Sequence, residues 1–97
     1  MKALPIGSVV RGRDFKLLII GYMMANVEDK VVTGYKAVKY PRGFAGMESL
    51  GILMLDEVQE VLFEGYRTDR ETEFTEAIGV FAEESKELKG SDFDTFM

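Results

Sequence analysis

Leu17-Leu18-Ile19-Ile20-Gly21-Tyr22-Met23-Met24 is apolar at nearly every position and does not alternate. Its length suits a strand rather than a membrane span, which needs roughly 18 to 20 apolar residues. Successive side chains of a strand point to opposite faces, so a strand that is apolar throughout needs protein on both. The segment 16–25 is therefore read as the central strand of a sheet, and the rest of the chain is read for what surrounds it.

Upstream, 8–11 reads as a short first strand, joined to the central one by a turn whose glycine and aspartate sit in Arg11-Gly12-Arg13-Asp14. Downstream, the polar Asn26-Val27-Glu28-Asp29-Lys30 suits a hairpin connection, and 31–40 resumes with β-branched and aromatic residues interleaved with Thr33, Lys36 and Lys39. That third strand is expected to have one wetter face. Pro41 cannot donate to a ladder and Gly43 and Gly46 permit positive φ, so pairing should lapse there and restart in a fourth strand at 50–55. Asp56 is placed to cap one helical turn, and 59–64 follows as a fifth strand with Val61 and Phe63 alternating against Glu60, Leu62 and Glu64.

Thr68-Asp69-Arg70-Glu71 has the spacing of a capping box, in which the threonine hydroxyl and the glutamate satisfy each other's free backbone amides. A helix over 68–89 follows, with Phe74, Ala77, Ile78, Phe81, Ser85 and Leu88 on one stripe and glutamates on the remainder. Gly79 costs about 1 kcal/mol inside a helix of this length, and Gly90 stops it before a tail at 91–97. The plan is one domain over 1–97, with its β part at 4–66. The fold class is α+β and mostly β: a small five-stranded SH3-like barrel or a strongly bent antiparallel sheet, with a C-terminal amphipathic helix laid over the outer face of the second strand. The helical stripe suits packing on its own sheet or on a second copy, so a homo-oligomer stays open.

Composition narrows the chemistry. The chain has neither cysteine nor histidine, which removes thiolate chemistry, disulfides, the commonest general base and the commonest transition-metal ligand. The net charge of -5 arises wholly after Tyr66, where four Lys/Arg face nine Asp/Glu; before that, eight face eight. An acidic last third repels phosphate backbones and anionic membranes. The first residues lack the apolar core of a secretory signal, so a cytoplasmic protein is expected. Scattered carboxylates on the helix do not converge as a hard cation requires, and the calcium-loop spacing is absent. Catalytic, cofactor and metal roles are therefore assigned to no residue.

Three features carry the remaining functional readings. Tyr40-Pro41-Arg42-Gly43-Phe44-Ala45-Gly46 is first of all a corner between strands. It can also be an anion nest assisted by Arg42, or a surface that offers Phe44 and Met47 to a protein. Arg11, Arg13, Lys16, Lys36, Lys39 and Arg42, with Tyr35 and Tyr40 as stacking platforms, could form a strip for single-stranded nucleic acid; a solvated charged face is the plainer account. The partner-binding candidates are thus Tyr40, Arg42, Phe44 and Met47 on the corner and Glu73, Glu76 and Glu83 on the helix. Phe93 and Phe96 are expected to dock on the barrel.

Read together, Leu-Pro-Ile-Gly-Ser-Val-Val at 4–10, Leu-Leu-Ile-Ile-Gly-Tyr at 17–22, Gly-Tyr-Lys-Ala-Val-Lys-Tyr-Pro-Arg-Gly at 34–43 and Glu-Val-Leu-Phe-Glu-Gly-Tyr at 60–66 are landmarks in a fixed order. The chain resembles, over 4–74, a family of small Gram-positive proteins known only as a domain of unknown function. That resemblance implies a neighbourhood of type VII secretion loci and LXG-domain toxins, and hence an accessory factor, adaptor or chaperone whose partner is an export substrate or its escort. No catalytic residues come with it. Arg70 stands where the Y-x-x-x-D/E export motif would need an acid after Tyr66, which points to a helper rather than a cargo.

Overall fold

The run at 17–24 lies within β2 (Phe15–Val27), the middle strand of a five-stranded antiparallel sheet ordered β4-β3-β2-β1-β5. The computed structural model describes residues 3–82, with every side chain in that span except those of Val27, Lys30, Val31, Phe81 and Ala82. β1 (Val9–Gly12) and β3 (Lys30–Lys39) flank β2, while β4 (Gly51–Leu53) and β5 (Val58–Phe63) are the edges. One helix, α1 (Asp69–Ala82), follows the last strand. Among the described residues no ladder joins β4 to β5. Of the two forms expected from the sequence, the open sheet is the one found, and the strands, the short turn before β5 and the helix fall in the expected order.

Both hairpins are tighter than the sequence suggested. Arg13 and Asp14 have φ of 51° and 68°, and Glu28 and Asp29 have 50° and 66°. Two central residues with positive φ define a type I′ turn, whose twist matches that of the strands it joins. No glycine stands at any of these positions, so all four residues adopt a conformation that L side chains visit at a cost.

Register assigns the two faces. Val10 pairs with Leu17, Ile19 with Ala37, Tyr22 with Tyr35 and Tyr35 with Leu53. Directly paired residues share a face, and on this core face Val10, Leu17, Ile19, Tyr35, Ala37 and Leu53 join Ala3, Leu55 and Ile78 in one buried cluster. A bulge between Ile19 and Gly21 keeps Tyr22 on the core face. The sequence expectation of β2 sandwiched along its length needs correction: Leu17 and Ile19 are fully buried, Leu18 and Ile20 are half-buried, and Met24 is 50% exposed. β3 is the more enclosed strand, with Val32, Thr33, Tyr35, Ala37 and Val38 all buried.

α1 packs on the core face and not on the outer one. The ring of Phe74 meets Tyr22 edge-on at 5.3 Å, and the Thr33 hydroxyl donates to the Ile78 carbonyl at 3.4 Å. Half of the expected capping box is present. The Glu71 amide donates to Thr68 Oγ1 at 3.1 Å, while the Glu71 carboxylate turns to Arg67. A 3₁₀ turn over Leu55–Glu57 precedes β5, and Glu57 rather than the exposed Asp56 secures it by accepting the Met54 amide at 2.8 Å. The expected helix beyond 82, its residue Glu83 and the tail with Phe93 and Phe96 lie outside the described residues.

Candidate partner-binding surfaces

Tyr40 to Gly46 connects β3 to a 3₁₀ turn at Met47–Ser49 that leads into β4. The Tyr40-Pro41 peptide bond is cis, and Gly43 and Gly46 have φ of 79° and 103°. Two of the corner's amides, those of Gly43 and Ala45, are already taken and are not free for an anion nest. Gly43 donates to the Lys39 carbonyl at 2.9 Å and Ala45 to Ser49 Oγ at 2.9 Å, and Ser49 Oγ donates to the Gly46 carbonyl at 2.6 Å. What the corner turns outward is apolar: Phe44 is 56% exposed and Met47 72%, with Tyr40 and Arg42 also exposed. Tyr40, Arg42, Phe44 and Met47 are thus brought to one corner. Glu73 and Glu76 are exposed on α1, but α1 meets β3 at Thr33, seven residues or roughly 24 Å along the strand from Tyr40. The predicted residues form two separate surfaces.

Tyr40 also belongs to a second surface. Gly7, Val9, Lys16, Leu18, Tyr40, Leu62 and Phe63 line an open groove of about 520 Å³ on the outer face. The ladders explain it: Val9 pairs with Leu18 on one side and Phe63 on the other, and Arg11 pairs with Lys16 and Glu60. β5 departs here from the alternation expected of it. Val61 opposes Val10 while Phe63 opposes Val9, so Leu62 is an extra residue in a bulge and Val61 and Phe63 end on opposite faces. The bulge sends Phe63, 62% exposed, to the outer face beside Leu62.

A third surface forms where the N-terminal segment 3–8 and the connection 64–67 from β5 to α1 meet the sheet. The Leu4 amide donates to the Tyr35 hydroxyl at 2.8 Å, and the Tyr22 hydroxyl donates to the Leu4 carbonyl at 2.5 Å. Two tyrosines of the core face thereby clamp Leu4 of the N-terminal segment through its amide and its carbonyl, which belong to successive peptide units. Ser8 Oγ donates to the Pro5 carbonyl at 2.8 Å and accepts the Gly65 amide at 3.0 Å. Arg67 ties the junction to the helix, donating to Glu64, to both Glu71 oxygens and to the Ala3 carbonyl. Beside this junction Ile6, Gly21, Tyr22, Met24, Tyr66, Glu71 and Phe74 line a groove of about 360 Å³, from which Tyr66 projects 83% exposed.

The segments that meet here, 4–10 with 60–66 and 17–22 with 34–43, are the landmarks of the sequence, and a family model described as a domain of unknown function, DUF4176, matches residues 3–74. The chain belongs to this family. The match begins at the clamped N-terminal segment and ends at Phe74, so the DUF4176 pattern covers the whole sheet, the junction and the first turns of α1. No curated protein and no solved structure matches the chain.

Within the DUF4176 domain, the electrostatics follow the same geometry. Burial, then the charges of Glu71 and Tyr35, raise the pKa of Tyr22 to about 12 against the opposing pull of Arg67. Burial also raises that of Tyr35, opposed by the bond from the Leu4 amide and by Arg67. Burial works against the charge on Arg67, but Glu64 and Glu71 outweigh it and raise its pKa. The basic strip read from the sequence is divided. Arg11 pairs with Glu60 at 3.5 Å, Arg13 with Glu57 at 3.9 Å, and Lys39 Nζ sits 4.5 Å over the Phe15 ring. Tyr35, one of the two proposed stacking platforms, is only 2% exposed. Among the described residues no group of three or more carboxylates converges on a metal-sized site, and no helix is long and apolar enough to cross a membrane.

The partner-binding candidates read from the sequence do not include Val9, Leu18, Leu62 and Phe63, or Ile6, Met24 and Tyr66. One signal was available for the first group: three apolar residues in succession, Val61-Leu62-Phe63, end the last strand before a glutamate and cannot all face one core.

Proposed function

We propose that this domain is a non-enzymatic protein-interaction module, a cytoplasmic accessory factor, adaptor or chaperone for a type VII export substrate such as an LXG-domain toxin, or for that substrate's escort. The observation that carries the reading is exposed apolar surface gathered in discrete places. Phe44 and Met47 share the corner, Tyr40, Leu62 and Phe63 share the outer groove, and Ile6, Met24, Tyr66 and Phe74 share the junction groove. Large exposed patches of this kind mark interaction sites on soluble domains, whereas isolated apolar residues do not. The absence of histidine and cysteine supports a role without covalent or acid–base chemistry. The secretion context rests on the order of the four landmarks.

The test is co-purification of the tagged domain with the proteins encoded beside its gene, at moderate salt. Retention of the toxin or its escort by the domain is the expected result; failure of every neighbour to bind discards the reading. A mobility shift with single-stranded DNA or RNA separates it from a nucleic-acid-binding barrel, a reading that the burial of Tyr35 disfavours.

A further inference from the structure

The outer face differs in charge from the rest of the molecule. Alternation along the ladders places Val9 and Arg11 of β1, Lys16 and Leu18 of β2, Lys36 of β3 and Phe63 of β5 on that face. Its described charges are Arg11, Lys16, Lys36 and Glu60, and Arg11 is taken by Glu60. Lys16 and Lys36 are exposed and have no ion-pair partner among the described residues. Among the described residues, Lys16 supplies the only charge in the groove lining, beside Leu18 and Tyr40. A chain with net charge -5 thus carries a locally cationic, apolar face, while Asp69, Glu71, Glu73 and Glu76 all lie on the separate helix.

We infer that this groove docks an acidic segment of the partner protein, one with two or three apolar side chains on one side and carboxylates beside them. The inference rests on the reading of the domain as an interaction module and assigns it a face and a partner chemistry. Apolar anchors would fill the space between Phe63, Leu62, Val9 and Leu18, and the partner's carboxylates would meet Lys16 in the groove lining and Lys36 farther along the same face, two residues from the Val38 that pairs with Leu18. Such an arrangement takes its affinity from desolvated apolar anchors and its selectivity from charge. Docking in the groove is favoured over addition of a strand to the β5 edge. Register shifts at Val9/Val10 and Arg11/Gly12 interrupt the β1–β5 ladder, and the exposed Glu60 and Glu64 charge the edge.

The experiment uses the full chain labelled with ¹⁵N. Three probes are added in turn: a helix-forming peptide of about 18 residues with leucines at i, i+3, i+4 and i+7 and glutamates elsewhere, the same peptide with lysines for glutamates, and an oligothymidine. The acidic peptide should shift the amides of Gly7, Val9, Leu18 and Phe63. It should bind at least about tenfold more tightly than the basic one, and it should weaken about tenfold in Lys16→Glu/Lys36→Glu and in Phe63→Ala, with the circular dichroism of each variant unchanged. Equal binding of the two peptides, shifts confined to other surfaces, displacement of the peptide by oligothymidine, or a doubled mass by light scattering with the groove amides already shifted would each overturn the inference. The two readings fail separately. A neighbour that co-purifies with wild type and equally with Lys16→Glu/Lys36→Glu removes this groove and leaves the module reading in place.

Discussion

Gly65, just after β5, runs close against the backbone of the N-terminal segment, and Gly65→Ala is predicted to be among the domain's most damaging single-methyl changes. A Cβ built at Gly65 would lie 2.4 Å from the Ile6 carbonyl oxygen, 3.0 Å from the Ser8 nitrogen and 3.1 Å from the Gly7 carbonyl carbon. All three are backbone atoms, so no rotamer change relieves the overlap. The segment 4–8 must move away by about 1 Å to reach an ordinary carbon–oxygen contact. That shift strains the core by about 1–3 kcal/mol and stretches the buried bond from the Gly65 amide to Ser8 Oγ, worth about 1 kcal/mol. Against these stands about 0.4–1 kcal/mol gained from a stiffer unfolded chain. The net is about 2–3 kcal/mol, a large part of the 5–15 kcal/mol typical of a domain.

Urea unfolding followed by circular dichroism reads this directly. At about 4–8 °C per kcal/mol for a domain of this size, the melting point should fall by roughly 10–20 °C. Gly43→Ala is the control: no atom lies within 4 Å of its added Cβ, and only its φ of 79° opposes the substitution, at about 1–2 kcal/mol. A Gly65→Ala protein within about 0.5 kcal/mol of wild type, or less destabilised than Gly43→Ala, would refute the close approach and with it the packing of the N-terminal segment against the end of β5.

Alkali should weaken the fold through the tyrosine clamp. A phenol whose folded pKa lies above its unfolded one keeps its full contribution below about pH 10 and loses it as pH climbs toward 12. For the half-buried Tyr22 the loss is on the order of 1–2 kcal/mol after allowance for solvent screening. Tyr22→Phe should flatten the stability curve between those values, and an unchanged slope would count against the clamp. At the second hairpin, Glu28→Asn with Asp29→Gly supplies the residues a type I′ turn favours and should raise stability by about 1 kcal/mol, measured as a shift in urea midpoint; a loss would mean a different turn. Thr68→Ala removes the hydroxyl that accepts the Glu71 amide and should cost about 1 kcal/mol, whereas Asp56→Ala, at a position the turn does not use, should stay within about 0.5 kcal/mol of wild type.

Local chemistry made much of the fold legible. The two hairpins, the break at Pro41 and the threonine before α1 each depend on residues adjacent in sequence, and each lies where the residues indicated. The exposed corner was legible for the same reason, since proline and glycine mark where a strand stops and its flanking rings are left without a ladder. The burial of β2 was not. Its apolar run suggests cover on both faces, yet Met24 is half exposed while the more polar β3 is enclosed. Thr33 can be buried there because the Ile78 carbonyl accepts its hydroxyl proton across 45 residues of chain, and such a partner leaves no trace near Thr33.

The outer groove shows most plainly why a sequence pattern can be read correctly and still mislead. Strict alternation along β5 puts Val61 and Phe63 together on the core face, where they would be structural. One inserted residue, Leu62, reverses the face of Phe63, and an apolar bulge residue carries no mark that distinguishes it from its neighbours. The functional reading changes with that reversal. Phe63 leaves the set of core candidates and stands with Val9 and Leu18 beside Lys16, so an unremarkable edge strand becomes one wall of the surface to which an acidic partner is assigned.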